Sequence, residues 1–313
     1  MSSPSPKNLA ASIRQRLLNR AHQTHQDFNL VLTRYAAERF LYRLSRSRYA
    51  PQFVLKGALV FLTWMSEPHR PTRDVDLLGF GDLSDEALQA IIRDLASMQV
   101  EPDGLEFDGG SVAIADIREG QAYQGKRVAF NARLENARIR LQIDIGIGDV
   151  VTPKPEIVAY PTCLDNMPGP KIRTYPPVSV VAEKTHTLVA LGLLNSRMKD
   201  FYDLWVMSRQ MSFDGETLCQ GLAATFERRQ TPVPEGVPPG LSEEFTGLQD
   251  KLQQWQAFLK RTSLAESSLT LDRVIGDLRA FLVAPLLAAA HRTPFRQSWP
   301  PVGPWADTEG QKT

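Results

Sequence analysis

The chain has 313 residues, 42% of them apolar and 23% charged, with a formal net charge of +1 at pH 7. Such a balance is that of an ordinary globular chain of one large or two medium domains, and it excludes a whole-chain field that would recruit an acidic partner. The only cysteines, Cys163 and Cys219, lack CxxC spacing, which excludes a disulfide framework and suits a reducing cytosol.

The N-terminus shows no apolar signal region, and the longest apolar run, Ala280 to Ala290, is short and broken by Pro285. The expectation is therefore a soluble, cytoplasmic protein with no membrane partner. None of the five histidines has metal-ligand spacing beyond the pair His22 and His25, and none is read as a ligand.

Helices are predicted over 8–24 and 26–45, the second with Phe28, Val31, Tyr35, Phe40, Leu41 and Leu44 at mostly helical spacing. A strand follows at Phe53–Leu55, then a buried helix over 58–65, a break at Pro68 to Pro71, and a strand through Asp74 and Asp76. Ser84 is placed to cap a helix running to about Met98, with Asp85 and Glu86 in its first turn. Four strands are expected next: Gly104–Phe107, Ser111–Ile114, Gly125–Leu134 and Arg138–Gly146. The last alternates, with Ile139, Leu141, Ile143 and Ile145 on one face and Arg140, Gln142 and Asp144 on the other.

Thr152–Pro177 holds seven prolines and reads as an irregular connection carrying a domain boundary, giving domains of 1–160 and 161–313. Helices are predicted over 178–194, 199–210, 214–227, 241–262 and 268–284, with Trp299 and Trp305 in the tail expected to pack back. No internal repeat is visible.

Charge is unevenly spread. Residues 1–50 carry nine basic groups against Asp27 and Glu38, whereas residues 81–110 carry eight acidic groups against Arg93. A nucleic-acid face is one reading; the blander one, slightly favoured, is that both are solvated helix faces that pair with each other.

Chemistry concentrates at Phe53-Val54-Leu55-Lys56-Gly57-Ala58 and, fifteen residues beyond the glycine, Thr72-Arg73-Asp74-Val75-Asp76. Asp74 and Asp76 share one face of a strand, roughly 6–7 Å apart. Like charges so placed call for a counter-charge, and carboxylates suit Mg²⁺ held against substrate phosphates. A lone D-x-D is more often an exposed acidic pair. The Gly57-Ala58 turn adds weight because small residues let backbone approach an anion; its alternative is close packing against a helix. If the strands of Asp76 and Asp144 are neighbours, three carboxylates converge.

A second group is Ala182-Glu183-Lys184 with Arg197-Met198-Lys199-Asp200-Phe201-Tyr202-Asp203. Lys184 sits on a mostly apolar segment, so it snorkels or meets an anion, a triphosphate among the candidates. Lys199 and Asp203 form an i,i+4 pair. The structural alternative is a salt-bridge cluster with Asp200 as an N-cap.

The order LKGA, RPTRDVDLL, YQGKRVAF, LQIDIGIGD, VVAEKTHTLVALG, NSRMKDFYDLW resembles the AbiEii/AbiGii nucleotidyltransferase toxins, relatives of the MenT-type toxins in the DNA-polymerase-β-like superfamily. The resemblance spans about residues 10 to 290. It implies an α+β fold: a mixed nucleotidyltransferase sheet flanked by helices, followed by a helical C-terminal region.

It further implies Mg²⁺, with Mn²⁺ as the substitute, held by Asp74, Asp76 and Asp144, with Asp144 acting toward the acceptor hydroxyl. Lys56, Gly57, Ala58, Thr72 and Arg73 would border an NTP. Lys184 would contact the nucleotide across the domain interface, its charge unpaired until then, with Lys199, Asp200 and Asp203 in the last motif. The turn departs from the family's usual Gly-Gly or Gly-Ser, since Ala58 has no hydroxyl.

The implied role is a toxin of a toxin–antitoxin or abortive-infection phage-defence pair, with a cognate antitoxin and tRNA as a candidate acceptor. The alternatives are transfer to a protein or small molecule, and a non-catalytic nucleotide- or RNA-binding module.

Overall fold

A computed structural model describes residues 6–65, 68–119, 123–262, 264 and 268–307. Residues 308–313 of the charged tail lie outside it, as does the Lys7 side chain. Contacts divide the chain into residues 1–148 with 155–175, and residues 149–154 with 176–313.

The first unit opens with α1 (Pro6–Gln23) and α2 (Phe28–Arg46). Asp27 caps α2, its carboxylate accepting from the Leu30 N–H at 2.9 Å. Then come β1 (Phe53–Lys56), a 3₁₀ turn over Gly57–Thr63 where a helix is expected, and β2 (Val75–Gly79). Ser84 caps α3 (Asp85–Ser97) as its sequence position predicts.

The two strands expected over 104–114 are one, β3 (Leu105–Glu119), with a register shift between Asp108 and Ala113. An irregularity of register keeps both halves in one ladder with β4, which is why their alternation looks interrupted. After it come β4 (Tyr123–Leu134) and β5 (Ala137–Ile147). The proline-rich connection is not wholly irregular: it forms β6 (Glu156–Ala159) and β7 (Lys171–Thr174) between its prolines.

The sheet has seven strands in the order β3-β4-β5-β2-β1-β7-β6. β2 runs parallel to β5 and β1 parallel to β7, while the other pairs are antiparallel. It is a mixed sheet in an α+β unit. One face is buried under the N-terminal helices: Phe53, Leu55, Val75, Leu77, Val128, Phe130, Ile139, Leu141, Ile143 and Ile145 join Ile13, Leu17, Tyr35, Phe40 and Leu41 in one apolar core. Because side chains alternate, every strand residue between these points to the other face.

The basic N-terminal run is spent largely on this unit. Arg43 binds Asp103 at 2.6 Å, Arg48 binds Asp94 at 3.0 Å, and the Tyr42 hydroxyl donates to Glu101 at 2.7 Å. These contacts join the basic segment to the acidic 81–110 segment, the pairing that the blander reading of the charges expects. Arg20 and Arg39 donate to the carbonyls of Cys163 and Pro168, at 2.9 and 2.6 Å, and Arg16 donates to Asn166.

The second unit is helical: α4 (Pro177–Leu191), α5 (Met198–Gln210), α6 (Gly215–Arg228), α7 (Glu243–Gly247), α8 (Gln249–Thr262) and α9 (Leu271–His291). The helix expected over 241–262 is divided at Leu248 between α7 and α8. A small antiparallel sheet joins β8 (Phe213–Asp214), β9 (Gln297–Trp299) and β10 (Ala306–Asp307).

α9 does not stop at Pro285 but carries it inside. It is also the one described helix long and apolar enough to cross a membrane by length and composition, contrary to the expectation from its broken apolar run. Here it packs against α5, α6 and α7, with Val274, Leu278, Phe281, Leu282 and Leu286 buried.

Candidate functional site

Strand register assembles the first group of polar residues. Lys56 on β1 lies opposite Asp76 on β2; Asp76 lies beside Asp144 on β5; Asp144 lies opposite Arg127 on β4. Directly paired residues point to the same face, and neighbouring strands are about 4.8 Å apart. A row of four charges, cation–anion–anion–cation, therefore crosses four adjacent strands on the face opposite the helical core. Asp74, two residues before Asp76, stands on the loop entering β2 and is half-buried, as is Asp76. Thr72 and Arg73 precede it, with Arg73 exposed.

Asp76 is placed by Gly57. Gly57 has φ +69°, and a Cβ on it would run into the Asp76 carboxylate. The small residue is there for the close approach of Asp76 rather than for packing against a helix. The next residue, Ala58, is buried. Lys56 is 8% exposed, its ammonium 5.2 Å from the centre of the Tyr175 ring.

Asp144 is held by Arg127. The guanidinium Nε donates to Oδ1 at 2.8 Å and Nη2 donates to Oδ2 at 2.7 Å, a bidentate pair. Arg127 lies within the YQGKRVAF motif, yet nothing in that string singles it out from Lys126 before it. Only the β4–β5 register does.

Among the described residues, no group of three or more His, Cys, Asp or Glu side chains is gathered closely enough to hold a metal ion. The expected convergence of three carboxylates is thus not present in this arrangement, because Asp144 is turned to Arg127. The donor chemistry still fits Mg²⁺. Asp74 and Asp76 are hard oxygen donors at the end of one strand, Asp76 set in the space that Gly57 leaves open. Mg²⁺ commonly takes one or two protein carboxylates and completes its shell with water and phosphate.

The second group lies in the helical unit. Lys184 on α4 binds Asp200 at 2.6 Å and Asp203 at 2.8 Å, and Arg197 Nε binds the other Asp200 oxygen at 2.7 Å. The carboxylates of Asp200 and Asp203 are 3% and 0% exposed. Burial alone would raise the Asp200 pKa, but the attraction of Lys184 and Arg197 outweighs it, and the carboxyl is held below its ordinary value.

This corrects three expectations. Lys184 is paired without nucleotide, because two buried carboxylates demand a counter-charge. Asp203 pairs with Lys184 rather than forming the i,i+4 pair with Lys199, which is exposed. Asp200 is not the N-cap of α5 but its third residue, and Arg197 holds the cap position without a side-chain cap bond.

Comparison with known proteins shows the family of the chain. The model of the AbiEii nucleotidyl transferase toxin, type IV toxin–antitoxin system, matches residues 39–281. The chain belongs to the AbiEii nucleotidyltransferase toxin family. It is accordingly a nucleotidyltransferase of a toxin–antitoxin system, acting on an NTP.

Two crystal structures are similar at low identity. JHP933 from Helicobacter pylori is 12% identical, with 81% of this chain and 87% of that one covered and a TM-score of 0.42. An antigenic nucleotidyltransferase-like protein from Paracoccidioides brasiliensis is 12% identical, with 72% and 88% covered and a TM-score of 0.35. No curated protein matches the chain.

Proposed function

We propose that the chain moves a nucleoside monophosphate from an NTP to an acceptor hydroxyl. The acceptor oxygen bonds to the α-phosphorus, the α–β phosphoanhydride bond breaks, and pyrophosphate leaves. The observation that carries this reading is the in-register row Lys56–Asp76–Asp144–Arg127 with Asp74 beside it. Asp74 and Asp76 are the residues to hold Mg²⁺ or Mn²⁺. Such an ion, when bound, offsets triphosphate charge and steadies the leaving group.

Lys56 supplies positive charge beside Asp76, and Gly57 and Ala58 form the small-residue border. Thr72 and Arg73 reach the nucleotide from the entry loop. Asp144 takes the acceptor proton or orients the hydroxyl. Lys184, with Lys199, Asp200 and Asp203, is carried over from the family motif as the nucleotide-contacting group. For Lys184 that role requires at least one of its carboxylate contacts to be given up.

The proposed setting is a cytoplasmic phage-defence pair with a cognate antitoxin; the buried free thiols of Cys163 and Cys219 suit that compartment. tRNA is the first proposed acceptor, on the family resemblance. A protein or small-molecule hydroxyl is the second, and one observation favours it: Arg20, Arg39 and Arg43 of the basic N-terminal run are engaged within the protein.

The test is transfer of label from α-³²P-NTPs to total RNA and to total protein, with wild type, Asp74→Asn and Asp76→Asn. Each substitution should lower transfer at least ~10³-fold, the scale of losing a main electrostatic stabiliser, in preparations that a thermal melt shows to be folded. Full transfer by either variant would make the pair structural.

A further inference from the structure

We propose that Arg127 is a positioning residue that withholds Asp144 from Asp74 and Asp76 until the divalent ion and nucleotide arrive. This rests on the reading of Asp74 and Asp76 as ion-holding residues. The register leaves Asp76 and Asp144 side by side on adjacent strands of one sheet face, with Asp74 on the loop entering β2 and nothing from the chain interposed between those strands. A site of that kind gathers around a divalent ion if its side chains are free to turn inward. Here both oxygens of Asp144 accept from one guanidinium, at 2.8 and 2.7 Å, on the side away from Asp76.

A planar fork fixes the carboxylate plane as well as offsetting its charge, which a lysine could not do. Arg127 therefore resolves the Asp76–Asp144 repulsion in the resting protein. The same contact takes one lone pair on each Asp144 oxygen and sets the carboxylate plane toward Arg127 instead of toward an ion or an acceptor hydroxyl. The pair is open to water, with Arg127 46% and Asp144 19% exposed, so exchanging it for another arrangement does not strand a buried charge. At the other end of the row Lys56 is nearly buried, so the two flanking cations differ in kind. Lys56 is a fixed neighbour of Asp76, whereas Arg127 is placed to let go.

The test is Mn²⁺ binding to the full chain without nucleotide, followed by the Mn²⁺ electron paramagnetic resonance signal or by calorimetry. Wild type, Arg127→Ala, Arg127→Lys, Asp144→Asn and the double variant Arg127→Ala/Asp144→Asn are compared, with thermal melts to confirm folding. Arg127→Ala should tighten Mn²⁺ binding roughly threefold to fivefold, the scale of one exposed ion pair. Arg127→Lys should fall between it and wild type.

In the Asp144→Asn background, Arg127→Ala should have no effect, because the effect of Arg127 passes through Asp144. Tightening that persists in that background is a bare field effect and overturns the positioning role, as does unchanged or weaker binding in Arg127→Ala. Asp76→Asn serves as the control on the underlying reading. If it leaves Mn²⁺ affinity intact, the ion-holding assignment and this proposal fall together. If it abolishes binding while Arg127→Ala changes nothing, only the role of Arg127 falls.

Discussion

At the scale of single residues, the sharpest consequence concerns Lys184. Its ammonium serves two carboxylates that are almost wholly out of water. Lys184→Ala should therefore destabilise the nucleotide-free protein by roughly 3–5 kcal/mol, the cost of leaving buried charge uncompensated. A thermal melt reads this directly. If the melting temperature instead stays or rises, the cluster is not what holds α4 to α5. Adding Mg²⁺-NTP to wild type and variant then tests the nucleotide role: a stabilising shift that is undiminished in the variant removes Lys184 from the binding site.

Gly57 makes the second residue-scale prediction. Gly57→Ala would force a side chain into a left-handed conformation and against the Asp76 carboxylate. The backbone strain alone should cost about 1–3 kcal/mol, and NMP transfer should fall with it. A melt and a transfer assay on the same preparation check both. In the sequence Gly57 is legible as a small residue after an apolar strand, and Asp74 and Asp76 as a pair. Arg127 was not visible, because β4 offers several polar residues, and which of them faces Asp144 is a matter of register between strands. Lys184 was legible as an ion out of place, and its partners were legible as neighbours on α5, yet the buried depth of Asp203 is a tertiary fact.

At the scale of elements, α9 shows how a local rule is overridden. Pro285 has no N–H to give the Phe281 carbonyl one turn earlier, and sequence reasoning accordingly ends the helix beside it. The indole N–H of Trp305 donates to that carbonyl at 2.9 Å, supplying the missing partner from the tail. Trp305→Phe keeps a ring near Phe281 but leaves the carbonyl unsatisfied, so it should cost about 1–3 kcal/mol. In a Pro285→Ala background the helix provides its own N–H, and the same substitution should cost less. Equal losses in denaturant melts of the two backgrounds would disprove the substitution of one donor for the other.

The contact between α4 and α6 carries a pH dependence. His186 on α4 contacts Thr231 at 2.9 Å and Arg229 at 3.3 Å, with the ring of Phe226 against it and with Asp149 and Glu183 around Arg229. Burial first, and then the Arg229 charge, lower its pKa from 6.5 to about 4, against a smaller opposing pull from Asp149. A histidine lowered on folding takes its proton more readily in the unfolded chain. Its contribution to stability is thus whole above pH 6.5 and is lost as pH falls from 6.5 to about 4. Glu38, raised by burial despite Arg39, works in the opposite sense. The readout is therefore the difference between wild type and His186→Gln in melts from pH 7 to pH 4.5, and a flat difference would exclude the histidine.

At the scale of the whole molecule, the uneven charge of the sequence resolves mostly into internal structure. Arg16 and Arg20 tie α1 to the segment around Cys163, and Arg43 and Arg48 reach the acidic 81–110 stretch. Reversing Arg16 and Arg20 to Glu should lower the melting temperature before it alters any RNA affinity, and RNA binding to wild type should depend only shallowly on salt. A steep salt slope with an unchanged melt would return the basic segment to the role of an RNA face.

The charged row also has a consequence for synthesis. Its members come from β1, β2, β4 and β5, so no continuous stretch of chain contains it, and the first cannot meet the last until Asp144 has left the ribosome. At about 5–20 residues per second, that stretch takes roughly 4–18 s to translate, and the parallel β2–β5 pairing can only close afterwards. Until that pairing closes, the nascent chain carries the residues of the row but not the row itself.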